Sequence, residues 1–394
     1  MLSIFACLGL ARFALGMLLP AMGKSLQLSY DQMGFISTGN FVGYLIAVIF
    51  CGAATRRIGA RGLIFCGLLL VAISMVLVSF SHTFVQVLLL YCLTGIGSGA
   101  VNVPVMALVS HWFARSTRGT AAGLIVVGSG LAMIFSGIVV PQINLAGGAE
   151  GWRTNWLLLG AISLVIALIS GLLQRNDPRD LGLNPVGADS TPNSAATPGE
   201  SKPDARRGTA SVIAHLGMIY FAFGFTYVVY ATFFVTTLVA ERGFSEREAG
   251  YFWAVIGLLS LVSGPVFGAL SDQFGRKSGL VMVFAFQLAA YLLVALELPG
   301  IYLNVSIALY GLVAWSVPTI MAAAVGDYLG PQNAARAFAI ITLFFGAGQI
   351  VGPGTAGLLA EQSGSFVSSY LMSAAVVGAA IVLTLLLRRP HAHE

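Results

Sequence analysis

Leu28-Ser29-Tyr30-Asp31-Gln32-Met33-Gly34-Phe35 is a short polar turn, and it returns 216 residues later as Phe244-Ser245-Glu246-Arg247-Glu248-Ala249-Gly250-Tyr251. Each copy reads as a helix start with a capping box, Ser29 with Gln32 and Ser245 with Glu248. The same offset carries Gly52 onto Gly268, Gly59 onto Gly275 and Arg61 onto Lys277, and Arg118 matches Arg336 two residues further on. The two halves of the chain therefore repeat each other in the same direction. On both sides of each turn lie long apolar runs, and these decide the class of protein.

Of the 394 residues, 57% are apolar, only 9% are charged and 47 are glycine, with a mean hydropathy of +0.89. A soluble domain carries roughly 25% charged residues, so a water-exposed surface cannot be built from this composition. Disordered chains are poor in apolar residues, so disorder is excluded as well. A helix needs about 20 apolar residues to cross the hydrocarbon core, and lipid leaves the backbone no alternative partner. Windows of that length predict twelve crossings. They lie near 2–23, 33–54, 62–81, 84–110, 120–143 and 154–173, then 212–239, 249–270, 279–297, 301–326, 336–360 and 364–387.

The basic residues orient these spans. With both termini cytoplasmic, Arg56, Arg57, Arg61, Arg115, Arg118, Arg175, Arg179, Lys202, Arg206, Arg207, Arg276, Lys277, Arg336, Arg388 and Arg389 fall inside. Only Lys24, Arg153, Arg242 and Arg247 fall outside, and Arg12 lies within a span. The pI near 9.1 follows from these loops, and no nucleic-acid partner is expected. Residues 174–211 are rich in Pro, Ser, Asp and Arg and carry no apolar period. They read as a cytoplasmic linker, flexible from 187 to 208, between an N-terminal bundle (1–173) and a C-terminal bundle with a short tail (212–394). The four cysteines, Cys7, Cys51, Cys66 and Cys92, all lie in first-half spans and read as small buried apolar residues. No basic n-region precedes the first span, so no secretory signal peptide is expected.

The second-half turn Gly268-Ala269-Leu270-Ser271-Asp272-Gln273-Phe274-Gly275-Arg276-Lys277 resembles the loop motif of the major facilitator superfamily, Gly-x-Leu-Ala/Ser-Asp-Arg-x-Gly-Arg-Arg. The first-half copy, from Gly52 to Arg61, is degenerate, with Arg56 where that motif has Asp. Residues 97–99, 111–113, 118–123 and 177–185 are similar to the monocarboxylate and oxalate–formate branch. Gly9-Leu10-Ala11-Arg12-Phe13 with Leu19-Pro20-Ala21-Met22, residues 223–234 and Gly348-Gln349-Ile350-Val351-Gly352-Pro353 resemble the YbfB/YjiJ-like bacterial branch more closely. The resemblance implies an all-α membrane protein with twelve transmembrane helices in two pseudo-symmetric six-helix bundles. It implies a transporter in a bacterial inner membrane, with the first, fourth, seventh and tenth helices lining a central cavity.

Arg12 is the sharpest feature of the sequence. A cation near the bilayer centre costs from about 2.5 to more than 10 kcal/mol and normally faces a cavity or a partner. No carboxylate lies deep in any span, so either the substrate supplies the anion or Arg12 snorkels or bonds to backbone carbonyls. Tyr227 and Tyr230, in the seventh span with Tyr220, present phenol tips suited to closing over a small organic ion. Packing is the alternative reading for all three. Asn40, Asn102, Trp315 and Gln349 are further binding candidates, with helix-to-helix bonding as their ordinary role. Gly268, Asp272, Gly275, Arg276 and Lys277 are gating candidates; a solvated basic turn is the plainer reading.

Together these readings predict a monomeric carrier of a small organic anion, a monocarboxylate first of all, working by alternating access. A proton is its candidate co-substrate, and facilitated diffusion stands beside it. Its partners are a small-molecule substrate and the lipid bilayer, with no cofactor or metal. The alternative is an exporter of hydrophobic, drug-like compounds. A membrane-embedded enzyme would want His, Asp or Glu clusters near one membrane face, which this sequence lacks.

Overall fold

The computed structural model describes residues 1–114, 117–187, 206–296 and 300–387. Among them ten stretches of helix are long and apolar enough to cross a membrane. In chain order the helices are α1 (Leu2–Leu26), α2 (Tyr30–Val78), α3 (Phe84–Trp112), α4 (Arg118–Gly147), α5 (Gly151–Leu173), α6 (Ala210–Glu241), α7 (Glu246–Phe274), α8 (Arg276–Ala295), α9 (Gly300–Leu329), α10 (Arg336–Ser363) and α11 (Val367–Leu386). Two of the ten stretches are longer than one crossing requires: α2 has 49 residues, and α4 and α5 together run on for 56.

Both long stretches are interrupted. Gly59, at φ 74° and ψ 164°, breaks α2 in a region that essentially only glycine enters. Packing against α3 shows that the chain reverses there. Gly39, Gly43 and Ala47 meet Leu88, Cys92 and Gly99 in parallel order, whereas Gly67 meets Gly97 and Val101, and Ser74 bonds Thr94, in antiparallel order. A short 3-10 turn, Gly148–Glu150, separates α4 from α5, with Gly148 at φ 58°. Helix α9 is broken between Val313 and Ser316. Both expected capping boxes form, at Ser29 and Ser245.

Glycines set the close approaches between the halves, because a Cβ would collide with facing backbone. Gly130 and Gly257 face each other across α4 and α7, and Gly34 and Gly357 across α2 and α10. The Gly34–Gly357 contact has its repeat equivalent, 216 residues apart at each partner, in Gly250 against Pro141, so the duplication is visible in the packing. At one end, two hydrogen bonds tie the halves together. The Tyr30 N–H donates to Glu361 Oε2 at 2.9 Å, and Asn144 Nδ2 donates to Glu246 Oε2 at 2.6 Å. Tyr30 and Glu246 are repeat equivalents, as are Asn144 and Glu361 within a residue. At the other end, which carries Arg61, Arg118, Arg276 and Lys277, no hydrogen bond joins the halves among the described residues. Part of the expected linker, residues 188–205, and the expected tail beyond 387 lie outside the described residues.

Candidate functional site

Arg12 lies within a nine-residue π-helix, Phe5–Phe13. Wide turns of this kind leave backbone groups without their usual partners and recur at functional sites. Tyr91 from α3 supplies one replacement, its hydroxyl donating to the Arg12 carbonyl at 3.2 Å. The Arg12 side chain extends toward α2. Its guanidinium carbon sits 4.6 Å from the ring centre of Phe41 and 4.5 Å from that of Tyr44. Two aromatic faces therefore hold the cation, each worth roughly 0.5–2 kcal/mol.

Those rings leave two of the three guanidinium nitrogens of Arg12 without a hydrogen-bond partner. Nε and Nη2 are buried and have no partner. Among the described residues no carboxylate comes within 4.0 Å of the guanidinium. Arg12 lines a small pocket with Phe13, Ser37, Asn40, Phe41 and Tyr91 of the first half, and Tyr227, Val228, Ala231 and Thr232 of the second. Ser37 and Thr232 bond each other across it, Oγ to Oγ1, at 3.2 Å. The chemistry on offer is a cation with free donors, amide and hydroxyl groups, and apolar walls. That combination can orient a small anion and can do no bond-breaking.

The seven predicted binding residues are placed as follows. Arg12, Asn40 and Tyr227 share the pocket. Gln349 stands behind Tyr227 and donates from Nε2 to its hydroxyl. Asn102 stands behind Arg12, donating from Nδ2 to the Tyr44 hydroxyl at 2.7 Å. Trp315 packs edge-on against Phe13 and Tyr227 at the break in α9, with its indole N–H buried and unpartnered. Tyr230 does not join them. It stacks on Tyr310 at 3.9 Å, bonds Ser306 and lies within a tyrosine cluster with Tyr291 and Tyr370. The reason is helical phase. At about 100° per residue, Tyr227, Val228 and Ala231 share an arc, and Tyr230 falls outside it. Tyr220 likewise stacks within the second half, on Phe345 and Phe223.

Sequence reasoning missed Phe41, Tyr44, Ser37 and Thr232. Ser37, Asn40, Phe41 and Tyr44 recur at 3-, 4- and 7-residue spacing, the spacing of one helix face, and that was the available signal.

The predicted gating turn forms a charge cluster. Arg276 pairs with Asp272, donates from Nε to Asp327 Oδ2 at 2.7 Å and bonds the Ser271 hydroxyl at 2.9 Å. Lys277 bonds the carbonyls of Leu385 and Leu387 at the end of α11. Gly275 supplies the turn at φ 88°, and Gly268 faces Thr319. The first-half copy has no such acid cluster: Arg61 bonds the Gly171 carbonyl at 2.9 and 2.6 Å instead, and its own N–H donates to Asn176.

A helical fold, a duplicated packing scheme and a polar pocket at the meeting of the halves define a membrane carrier. Residues 4–385 match the family described as "Uncharacterised MFS-type transporter YbfB", and the chain belongs to that family of the major facilitator superfamily. It is a transporter and not an enzyme. The chain is 24% identical over 388 residues to the hexuronate transporter of Bacillus subtilis (strain 168), covering 92% of this chain and 87% of that one. It is 24% identical over 384 residues to human monocarboxylate transporter 2, covering 91% and 77%. It is 23% identical over 391 residues to the probable sulfoacetate transporter SauU of Cupriavidus necator, covering 93% and 87%. Its fold is similar to a bacterial homologue of the human lysosomal transporter Spinster, solved inward-facing and unoccupied. There the TM-score is 0.74 at 15% identity, covering 98% of this chain and 93% of that one.

Proposed function

We propose that this protein carries a small organic anion with a carboxylate group across a bacterial inner membrane by alternating access. In this reading the chain crosses the bilayer twelve times, because α2 turns back at Gly59 and the 118–173 stretch turns back at Gly148. The crossings form two bundles of six joined by residues 174–211, with both termini cytoplasmic. The end tied by Glu361 and Glu246 faces outward, in keeping with the positive-inside rule. The structure is then the inward-facing state. Rocking of one bundle on the other breaks the outer ties and the Ser37–Thr232 contact, and exposes the pocket to the outside.

The unpaired guanidinium of Arg12 carries this reading. A carboxylate offers two acceptors to its two vacant donors, and charge-assisted bonds of that kind are the strong ones. The hexuronate, monocarboxylate and sulfoacetate named for the three relatives are all organic anions, which supports the same class. Uptake of labelled lactate and glucuronate into proteoliposomes tests it. Arg12→Gln keeps a polar side chain but removes the charge, and is expected to abolish uptake while the purified protein still unfolds cooperatively. Uptake near the unaltered level would overturn the assignment.

A further inference from the structure

The pocket holds a second unanswered group, of opposite character to Arg12. Asn40 is 1% exposed and lines the same cavity. Its Nδ2 donates to the Tyr91 carbonyl at 3.2 Å. A carbonyl only accepts, so this bond fixes which end of the amide is nitrogen and leaves Oδ1 as the other end. That oxygen is buried with no hydrogen-bond partner. Buried polar atoms are rarely left so, and each exception wants a physical cause.

No donor among the described residues reaches that oxygen. The Tyr91 hydroxyl serves the Arg12 carbonyl, Ser37 and Thr232 bond each other, and Gln349 serves Tyr227. Arg12 itself is held between Phe41 and Tyr44 and does not turn to Asn40. A ligand completing this pocket must therefore accept hydrogen bonds at Arg12 and donate one at Asn40. A carboxylate beside a hydroxyl does both. Resting on the anion reading above, we propose that the transported class is hydroxycarboxylates, and that Asn40 selects for the hydroxyl.

Matched acids that differ by one hydroxyl test this: lactate against propionate, and 3-hydroxybutyrate against butyrate. Binding to the purified, detergent-solubilised full chain is read by isothermal titration calorimetry. A bond to an otherwise unpaired buried acceptor predicts that the hydroxylated member binds about 5- to 150-fold tighter. In Asn40→Leu that ratio falls toward one. Equal affinities in the unaltered protein, or a ratio that survives in Asn40→Leu, overturn the hydroxyl selection while leaving the anion reading intact. The first of these needs no Asn40 substitution and so does not depend on how that variant folds. The anion reading fails by a different pattern, in which Arg12→Gln binds both members as well as the unaltered pocket does, and the present inference falls with it.

Discussion

Gly257→Ala is the smallest change that probes the sliding contact between the halves. A methyl group at this position on α7 would lie 2.8 Å from Met133 Cβ, 2.9 Å from the Gly130 carbonyl oxygen and 3.0 Å from the Ile134 nitrogen, all on α4. Carbon atoms rest at about 3.5–4.0 Å, so α4 and α7 must part by about 1 Å. Two of the three atoms are backbone and cannot rotate aside. Overpacking of this kind costs roughly 1–3 kcal/mol, charged against the state in which α4 and α7 are pressed together. On the alternating-access proposal, that shifts the balance about 5- to 150-fold away from the state in which the Glu246 and Glu361 end is closed. Spin labels at the exposed positions Ala146 and Arg247, beside the Asn144–Glu246 tie, report the shift as a new population at longer distance. Transport in proteoliposomes should fall with it. Gly123→Ala, where a methyl meets nothing within 4 Å, serves as the control. An unchanged distance distribution together with unchanged uptake in Gly257→Ala would refute the reasoning.

Three further substitutions have defined outcomes. Tyr227→Phe strands the buried Gln349 amide without an acceptor and should lower stability by about 1–3 kcal/mol, read from thermal unfolding. Arg276→Gln removes pairs with Asp272 and Asp327 whose carboxylates are about half exposed or more, so the stability change should stay within about 1 kcal/mol. A several-fold loss of uptake at that small cost would mark the cluster as part of the gate; unchanged uptake would mark it as a solvated turn. Gly59→Ala forces a side chain into φ 74°, ψ 164° with Asn176 Nδ2 at 3.0 Å, and should cost about 1–3 kcal/mol in the same unfolding assay.

What could be read before any coordinates followed from the solvent. Lipid forbids unpaired backbone, so apolar runs had to be helices, and the duplicated turn at 28–35 and 244–251 fixed how they repeat. Arg12 stood out for the same reason, as a charge with nowhere ordinary to go. The details around it were not legible. A π-helix differs from an α-helix by one hydrogen-bond step and leaves no mark in hydropathy, so the wide turn at 5–13 is silent in the sequence. Phe41 and Tyr44 look like any aromatics in an apolar run until a guanidinium is found between them. Tyr230 lies one turn along the helix from Tyr227, and its different angle around the axis turns it into the tyrosine cluster of the second half. The acid partner of Arg276 in α9, Asp327, is 51 residues away and comes near only through packing.

The two hydrogen bonds that tie the halves at the Glu246 and Glu361 end are built unequally. Duplication has preserved the contact but exchanged its parts: the acid sits on the arriving helix at Glu246 and on the departing one at Glu361, and one of the donors is main chain. A backbone N–H has no codon. Damage to Glu246 is repairable by a compensating residue at position 144, whereas damage to Glu361 has no second-site remedy at position 30. A molecule built from two near-copies thus ages unevenly under mutation, with one half of that seam free to co-vary and the other held by a single acid.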